Sequence, residues 1–330
     1  MSFKTTLCGT STALALMMGT TAMAEDITVA YFLEWPMPFQ YAKAMGTYEE
    51  AMGVGINWVA FDTGTAMSAA MASGDVQIAV SQGLPPFVVA ASAGQDLVIT
   101  DIAVGYSEND NCVVAETLEI DGASAKELEG KRVGVPIGTA AHFGFLKQME
   151  HFDVDITTME IVDMAPPEGA AAFAQGSLDM VCGWGGALRR MKEHGNVLMT
   201  GAEKEAAGIL VFDVISAPSD FVASDGELMT KFLAVTAEAN AMWNAGTDKD
   251  KMIEVIAKDA GMDVADTEAT IATFTFPSTE DALSEKWLGG GVQDFMIGVA
   301  GVFAEAGSIP KALDSYASTV DASFLAAVAD

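Results

Sequence analysis

Two segments about a hundred residues apart repeat one local pattern. "ASGDVQIAVSQG" (Ala72–Gly83) and "AQGSLDMVCGWG" (Ala174–Gly185) align without a gap. Ala72 meets Ala174, Gly74 meets Gly176, Val76 meets Leu178, Ile78 meets Met180, Val80 meets Cys182 and Gly83 meets Gly185. Each reads as a helix end stopped by glycine, a short strand of alternating apolar residues, and a loop. A chain that writes the same β–α sentence twice is constrained to two α/β halves of similar plan.

The flanking sequence agrees. Residues 26–32 (DITVAYF), 56–62 (INWVAFD) and 76–80 (VQIAV) read as strands, with a helix over 39–53 and another over 63–73 capped by Thr63 or Thr65. A helix over 87–95 closes at Gly94. The grammar restarts near Tyr106, with strands at 112–115, 131–136, 157–164 and 178–184. Between them lie a helix near 124–130, where Ser124 and Glu127 fit a capping box, one from about 137 to 152, and one opened by Pro166-Pro167. Alternating strands and helices imply mixed sheets covered on both faces. After a long strand at 208–218 the chain is mostly amphipathic helix with no third sheet to cover, so it should pack back on the first half. The expected division is residues 25–106 plus 216–330 in one lobe and 107–215 in the other.

Residues 1–24 carry a single cation, Lys4, then the apolar run "STALALMMGTTAMA" ending in Ala22-Met23-Ala24. That is the pattern of a secretory signal peptide, too short in its apolar part to span a membrane. Removing it takes the net charge from −30 to −31, since Lys4 is its one charged residue. Such acidity excludes nucleic acid and anionic membrane surfaces as partners and suits solubility in salty surroundings. Cys112 and Cys182 remain, and in an oxidising compartment one disulfide or two buried thiols both fit. His142, His151 and His194 are scattered with no metal-ligand spacing, so no metal and no cofactor is expected. No nucleophile elbow or recognisable catalytic constellation occurs, and the chain is read as a non-enzyme.

In open α/β sheets ligands bind outside the carboxyl ends of strands, often on helix N-termini. This geometry selects Glu34 and Trp35, Thr63 and Gly64, Ser81, Gln82 and Gly83, Thr139 and His142, Trp184, and Asp213 as candidate ligand-binding residues. "TGT" (Thr63–Thr65) and "GTAAH" (Gly138–His142) are each ordinary N-caps taken alone. Facing one another they offer hydroxyls and free N–H groups to an anionic headgroup. Glu34-Trp35 and Phe212-Asp213 pair an acid with a ring, a combination that suits an ammonium group, and Trp184 could close the cage.

These residues carry a resemblance. "ITVAYF", "FDTGTAMSAAMASGDVQIAVSQGLPPFVVAASAG", "LEGKRVGVPIGTAAHFGFL", "MEIVDMAPPEGAAAFAQGSLDMVCGW" and "FDVISAPSDF" resemble the taurine/alkanesulfonate/nitrate-type binding proteins of bacterial ABC importers, over about Ile27 to Phe221. The resemblance implies a two-lobed periplasmic-binding-protein fold of type II. It also implies a periplasmic monomer that closes on a small zwitterionic or anionic, taurine-like ligand and delivers it to an ABC permease in the inner membrane. It places a sulfonate on Thr63, Gly64, Ser81, Gln82, Thr139 and His142, an ammonium on Asp213, and an aromatic wall at Trp184. The family's hydroxyl-rich Ser-Thr-Thr-His stretch is here Thr139-Ala140-Ala141-His142, two hydroxyls short, and its Ser-Ser-Pro-like turn is Gln82-Gly83-Leu84-Pro85. Glu34-Trp35 adds an acid and a ring. A receptor of the same fold for a betaine-like or sulfonium zwitterion, with Glu34 as cation partner, is the competing reading, followed by a periplasmic or pyrimidine-precursor enzyme on that fold.

Overall fold

The computed structural model describes Met1 and residues 26–329; the stretch read as a signal peptide lies, apart from Met1, outside the described residues. The first half runs β1 (Ile27–Phe32), α1 (Phe39–Met45), α2 (Thr47–Met52), β2 (Ile56–Phe61), α3 (Gly64–Ala72), β3 (Ile78–Gly83), α4 (Leu84–Ser92) and β4 (Leu97–Gly105). The second runs β5 (Asp110–Ala115), β6 (Arg132–Val135), α5 (Ala140–His151), β7 (Glu160–Asp163), α6 (Pro166–Ala174), β8 (Met180–Trp184), α7 (Gly185–Lys192), β9 (Gly195–Val197) and α8 (Gly201–Ala206). The chain then returns through β10 (Phe212–Pro218) to α9 (Ser219–Asn244), α10 (Lys249–Ala260), α11 (Val264–Ile271), α12 (Thr279–Leu283), α13 (Gly291–Glu305) and α14 (Ser323–Ala329).

The two sheets repeat one topology. The first is ordered β2-β1-β3-β10-β4 and the second β7-β6-β8-β5-β9. In each, three parallel strands are joined to a strand running the other way, β10 or β5, which arrives from the opposite half. The repeated segments supply the central strands β3 and β8. Both are almost wholly buried because helices cover both faces, which is why their apolar residues run nearly unbroken. β2, at the sheet edge, is only half-buried along its length.

Two segments cross between the sheets. Tyr106 to Asn109 leads out, and residues 207–211 lead back; the Tyr106 N–H donates to the Val211 carbonyl at 3.2 Å, so the crossings are tied together. The chain pairs with the first sheet from Phe212, and the expected boundary at 215–216 falls inside β10. The helical tail packs around the first sheet: α9 lies on α1, α2 and β10, and α14 on α9 and β4. α13 lies across α4 and α5, one helix from each half.

Two local expectations are corrected, and the alternative left open for the cysteines is resolved. The helix over 39–53 is two helices, because Gly46 takes the left-handed conformation (φ 71°) and ends the first at a C-cap. Ser124 and Glu127 form no capping box. The Ser124 hydroxyl turns back to Asp121 and the segment tightens into a short 3-10 helix, Ala125–Leu128. A true capping box stands instead at Thr200 and Glu203, opening α8. Cys112 and Cys182 form a disulfide between directly paired residues of β5 and β8, which fixes the register that presents Trp184 opposite Asp110. Among the described residues no helix is long and apolar enough to cross a membrane.

Candidate functional site

Between the two halves lies a small cavity of about 20 Å³. The first sheet and its loops supply Phe32, Trp35, Gly64, Gly83, Pro86 and Asp213; the second supplies Thr139, Ala140 and Trp184; the outgoing crossing supplies Tyr106. Apart from Trp35, on the loop after β1, these residues sit at or next to a strand end or at the cap or in the first turn of a helix.

Asp213 is the polar centre. It enters on β10, antiparallel to β3, with Gly83 directly opposite. It is 1 % exposed. Its Oδ2 accepts from the Ser81 hydroxyl at 2.6 Å, and its Oδ1 accepts from the Tyr106 hydroxyl. Ser81 in turn accepts from the Trp35 indole N–H at 2.8 Å. Ser81 achieves this by adopting φ 65°, a backbone state that non-glycine residues occupy only where the surroundings enforce it. The effect is a fixed relay, Trp35 to Ser81 to Asp213, with the acid held from two sides. Burial outweighs those two hydrogen bonds and pushes the Asp213 carboxyl up to about 8, with the neighbouring Asp110 adding to the rise. Burial and the Asp213 charge also push the Tyr106 hydroxyl well above its ordinary value, so it stays a donor.

Rings enclose this acid. Trp35 meets Tyr106 edge-on at 4.7 Å and Phe274 at 4.6 Å between centroids. Trp184, on the second half, approaches Phe32 at 6.1 Å and lines both the cavity and the outer cleft.

Facing the acid are two helix starts. Thr63 caps α3, accepting from the Ala66 N–H at 3.1 Å. Thr139 caps α5, accepting from the His142 N–H at 3.4 Å while donating to the Pro136 carbonyl at 2.6 Å. The first N–H groups of each helix have no intrahelical acceptor, and Gly64 and Ala140, the first residues of α3 and α5, both line the cavity. Gly64 must be glycine for close packing: a Cβ there would lie 2.7 Å from Pro86 Cγ.

The structure brings Trp35, Gly64, Gly83, Thr139, Trp184 and Asp213 to one cavity, with Ser81 immediately behind Asp213. The other candidates stand apart from it. Thr63 faces a neighbouring cleft with Thr65, Pro136 and Asp163. The Gln82 amide donates to the Gly64 carbonyl and the Ser68 hydroxyl and accepts from Ser216, so it braces the first sheet. His142 Nδ1 accepts from the Gly138 N–H at 3.2 Å and its ring stacks on Phe303 at 5.3 Å, beneath α13; burial pushes its pKa down to about 4. Both Glu34 oxygens accept from Arg190, at 2.7 and 3.0 Å. That pairing removes the free acid on which the betaine-like reading depended. Tyr106, Phe32, Pro86 and Arg190 escaped sequence reasoning; Tyr106 and Asp213 are 107 residues apart, and no local pattern links them.

Two facing mixed sheets of this order, joined by two crossings with a shared cavity at their strand ends, make the two-lobed architecture of the periplasmic binding proteins. The chain belongs to the family described as NMT1/THI5 like, whose model matches residues 36–245. It is 27 % identical over 308 residues to the taurine-binding periplasmic protein of Escherichia coli K12, covering 92 % of this chain and 94 % of that one. It is 24 % identical over 216 residues to a putative aliphatic sulfonates-binding protein of the same organism, 63 % of each chain. Among solved structures it is similar to the alkanesulfonate-binding protein SsuA of Xanthomonas axonopodis pv. citri bound to MOPS, with TM-score 0.73 and 20 % identity over 90 % of this chain and 98 % of that one. The nitrate-binding protein NrtA of Synechocystis PCC 6803 superposes with TM-score 0.72 at 11 % identity, over 92 % of this chain and 88 % of that one.

Proposed function

We propose that this protein is the periplasmic solute-binding component of an ABC importer, and that it captures taurine or a similar small aminosulfonate between its lobes. One observation carries the reading. A fully buried acid, Asp213, anchored on both oxygens and ringed by Trp35, Tyr106 and Trp184, stands in one cavity with the opening turns of α3 and α5. An ammonium group on Asp213 would gain a charge-assisted hydrogen bond in a low-dielectric site together with cation–π contact. A sulfonate at the other end of the same short molecule would receive the unpaired N–H groups at Gly64 and Ala140, aided by the positive ends of both helix dipoles. The likeness to the taurine-binding relative over nearly its whole length supports the same assignment.

The remaining roles follow. Thr139 shapes the sulfonate end, Gly83 permits close approach beside Asp213, and Thr63, Gln82 and His142 brace the walls. The lobes divide at the two crossings, residues 25–106 plus 212–330 and residues 107–211, with the crossings near Tyr106 and Val211 as hinge. The receptor acts as a monomer, with residues 1–24 as its export signal, and releases ligand unchanged to an inner-membrane permease. Isothermal titration with taurine and with ethanesulfonate, which lacks the ammonium, tests this. Taurine should bind micromolar or tighter and more strongly than ethanesulfonate. Heat from neither would end the proposal, and equal affinity for both would remove Asp213 as the ammonium partner.

A further inference from the structure

α7 carries two adjacent arginines, and both leave their own lobe. Arg190 grips Glu34, on the loop after β1, with both guanidinium ends: Nη1 to Oε1 at 2.7 Å and Nη2 to Oε2 at 3.0 Å. Arg189 Nη2 reaches Asp266, in the first turn of α11, at 2.7 Å, and its Nη1 lies 3.5 Å from Glu193 on its own helix. Between them the Gly186 N–H donates to the Glu34 carbonyl at 3.3 Å. The first turn of α7 lies so close to this loop that a Cβ on Gly185 would stand 2.8 Å from the Glu34 carbonyl oxygen, and one on Gly186 2.8 Å from its carboxylate. Glu34 is presented by a left-handed backbone (φ 52°), and its N–H is fixed to the Ala260 carbonyl at the end of α10 at 2.8 Å.

We infer that Arg189 and Arg190 form a cross-cleft latch with Asp266 and Glu34, and that these positioning residues set how strongly the receptor holds the closed state without themselves touching the cavity. α7 follows directly on Trp184, the wall contributed by the second lobe, and Glu34 precedes Trp35, which starts the relay to Asp213. The latch therefore joins the two residues through which each lobe reaches the cavity. Any hinge motion that separates the lobes breaks both ion pairs and the Gly186 hydrogen bond. The pairs are bidentate or short but partly exposed, Arg190 38 % and Glu34 34 %, so each is a modest, salt-sensitive contribution. Two together bias the ligand-free open–closed ratio by about 2- to 30-fold, and a ligand that binds only the closed form weakens by at most that factor when they are lost, in proportion to the fall in closed population.

Small-angle scattering on the ligand-free full chain reads this without reference to any ligand. R189Q/R190Q should be more expanded than wild type at 50 mM NaCl, wild type should expand towards the variant at 1 M NaCl, and the variant should not respond to salt. The charge swap E34R/R190E should recover most of the wild-type compactness, with circular dichroism showing that all forms are folded. Scattering that is identical in wild type and R189Q/R190Q at both salt concentrations overturns the latch. Taurine titration of the same proteins should show weaker binding in R189Q/R190Q, by at most about 30-fold and in proportion to the closed population that scattering shows to be lost. The inference rests on the two-lobed receptor reading but not on taurine: absence of heat with wild type would remove taurine while the scattering still decides the latch.

Discussion

Asp213 sits in an environment that makes ligand capture dependent on its proton. With the carboxyl pushed up to about 8, Asp213 is mostly protonated in the free receptor at pH 7. An ammonium ligand needs the carboxylate, so binding must expel that proton. Apparent affinity then lies below its limiting value by a factor of one plus ten raised to the pKa minus the pH, which is about 2-fold at pH 8, 11-fold at pH 7 and 100-fold at pH 6. Taurine should therefore bind about 50-fold more tightly at pH 8 than at pH 6. Titration in buffers of different ionisation heat should show about 0.9 proton released per taurine at pH 7. D213N abolishes both effects. It removes a charge-assisted hydrogen bond of about 1.5–3 kcal/mol, so at pH 8 it should weaken taurine by about 10- to 100-fold while changing ethanesulfonate by less than about threefold. Wild-type binding that is flat from pH 6 to 8 with no proton release, or a D213N protein that binds taurine normally, would refute the reasoning.

Other outcomes follow from the same contacts. Burial holds Asp101 and Asp110 up at about 7, as it holds Asp213 at about 8, so the folded protein keeps protons that the unfolded chain releases above about pH 4. The ligand-free melting temperature should accordingly fall as pH rises from 5 to 8; His142, held down at about 4, opposes this below its ordinary value of 6.5 but is one group against three, and a melting temperature that rises over that range would contradict the assignment. The Cys112–Cys182 disulfide closes a sequence separation of 70, worth about 4 kcal/mol in the chain-entropy account, so C112S/C182S should lower the melting temperature by roughly 5–10 °C; an unchanged melt would show that the strand pairing alone fixes this lobe. G64A places a Cβ 2.7 Å from Pro86 Cγ in the cavity wall, and it should weaken taurine binding in titration while leaving the circular dichroism spectrum intact.

What the sequence made legible was local and periodic. The repeated Gly-stopped helix and buried strand foretold β3 and β8 at matching places in two sheets, because burial on both faces leaves an apolar run that can be seen without coordinates. Thr63 and Thr139 were legible as caps, since hydroxyls before a helical run have few other uses. Asp213 was singled out as an acid beside a ring at a strand end, and its proposed ammonium role came from the family resemblance, not from the spacing. The rest depended on contacts between distant residues. The Tyr106 hydroxyl reaches Asp213 across 107 positions and Arg190 reaches Glu34 across 156, and no spacing rule encodes either. His142 shows the other limit. A polar residue two places inside a helix start faces wherever the helix is rotated, and the ring of Phe303, from a helix far along the chain, turns it away from the cavity. Gln82 likewise looked available until Ser216, on β10, arrived to bond it.

The most direct test is a crystal structure of the protein grown with taurine. The account predicts one taurine between the lobes, its ammonium within hydrogen-bond distance of Asp213 and its sulfonate accepting N–H groups from the first turns of α3 and α5. Taurine bound in the opposite orientation, or found only outside the cavity shared by Trp184 and Asp213, would contradict it.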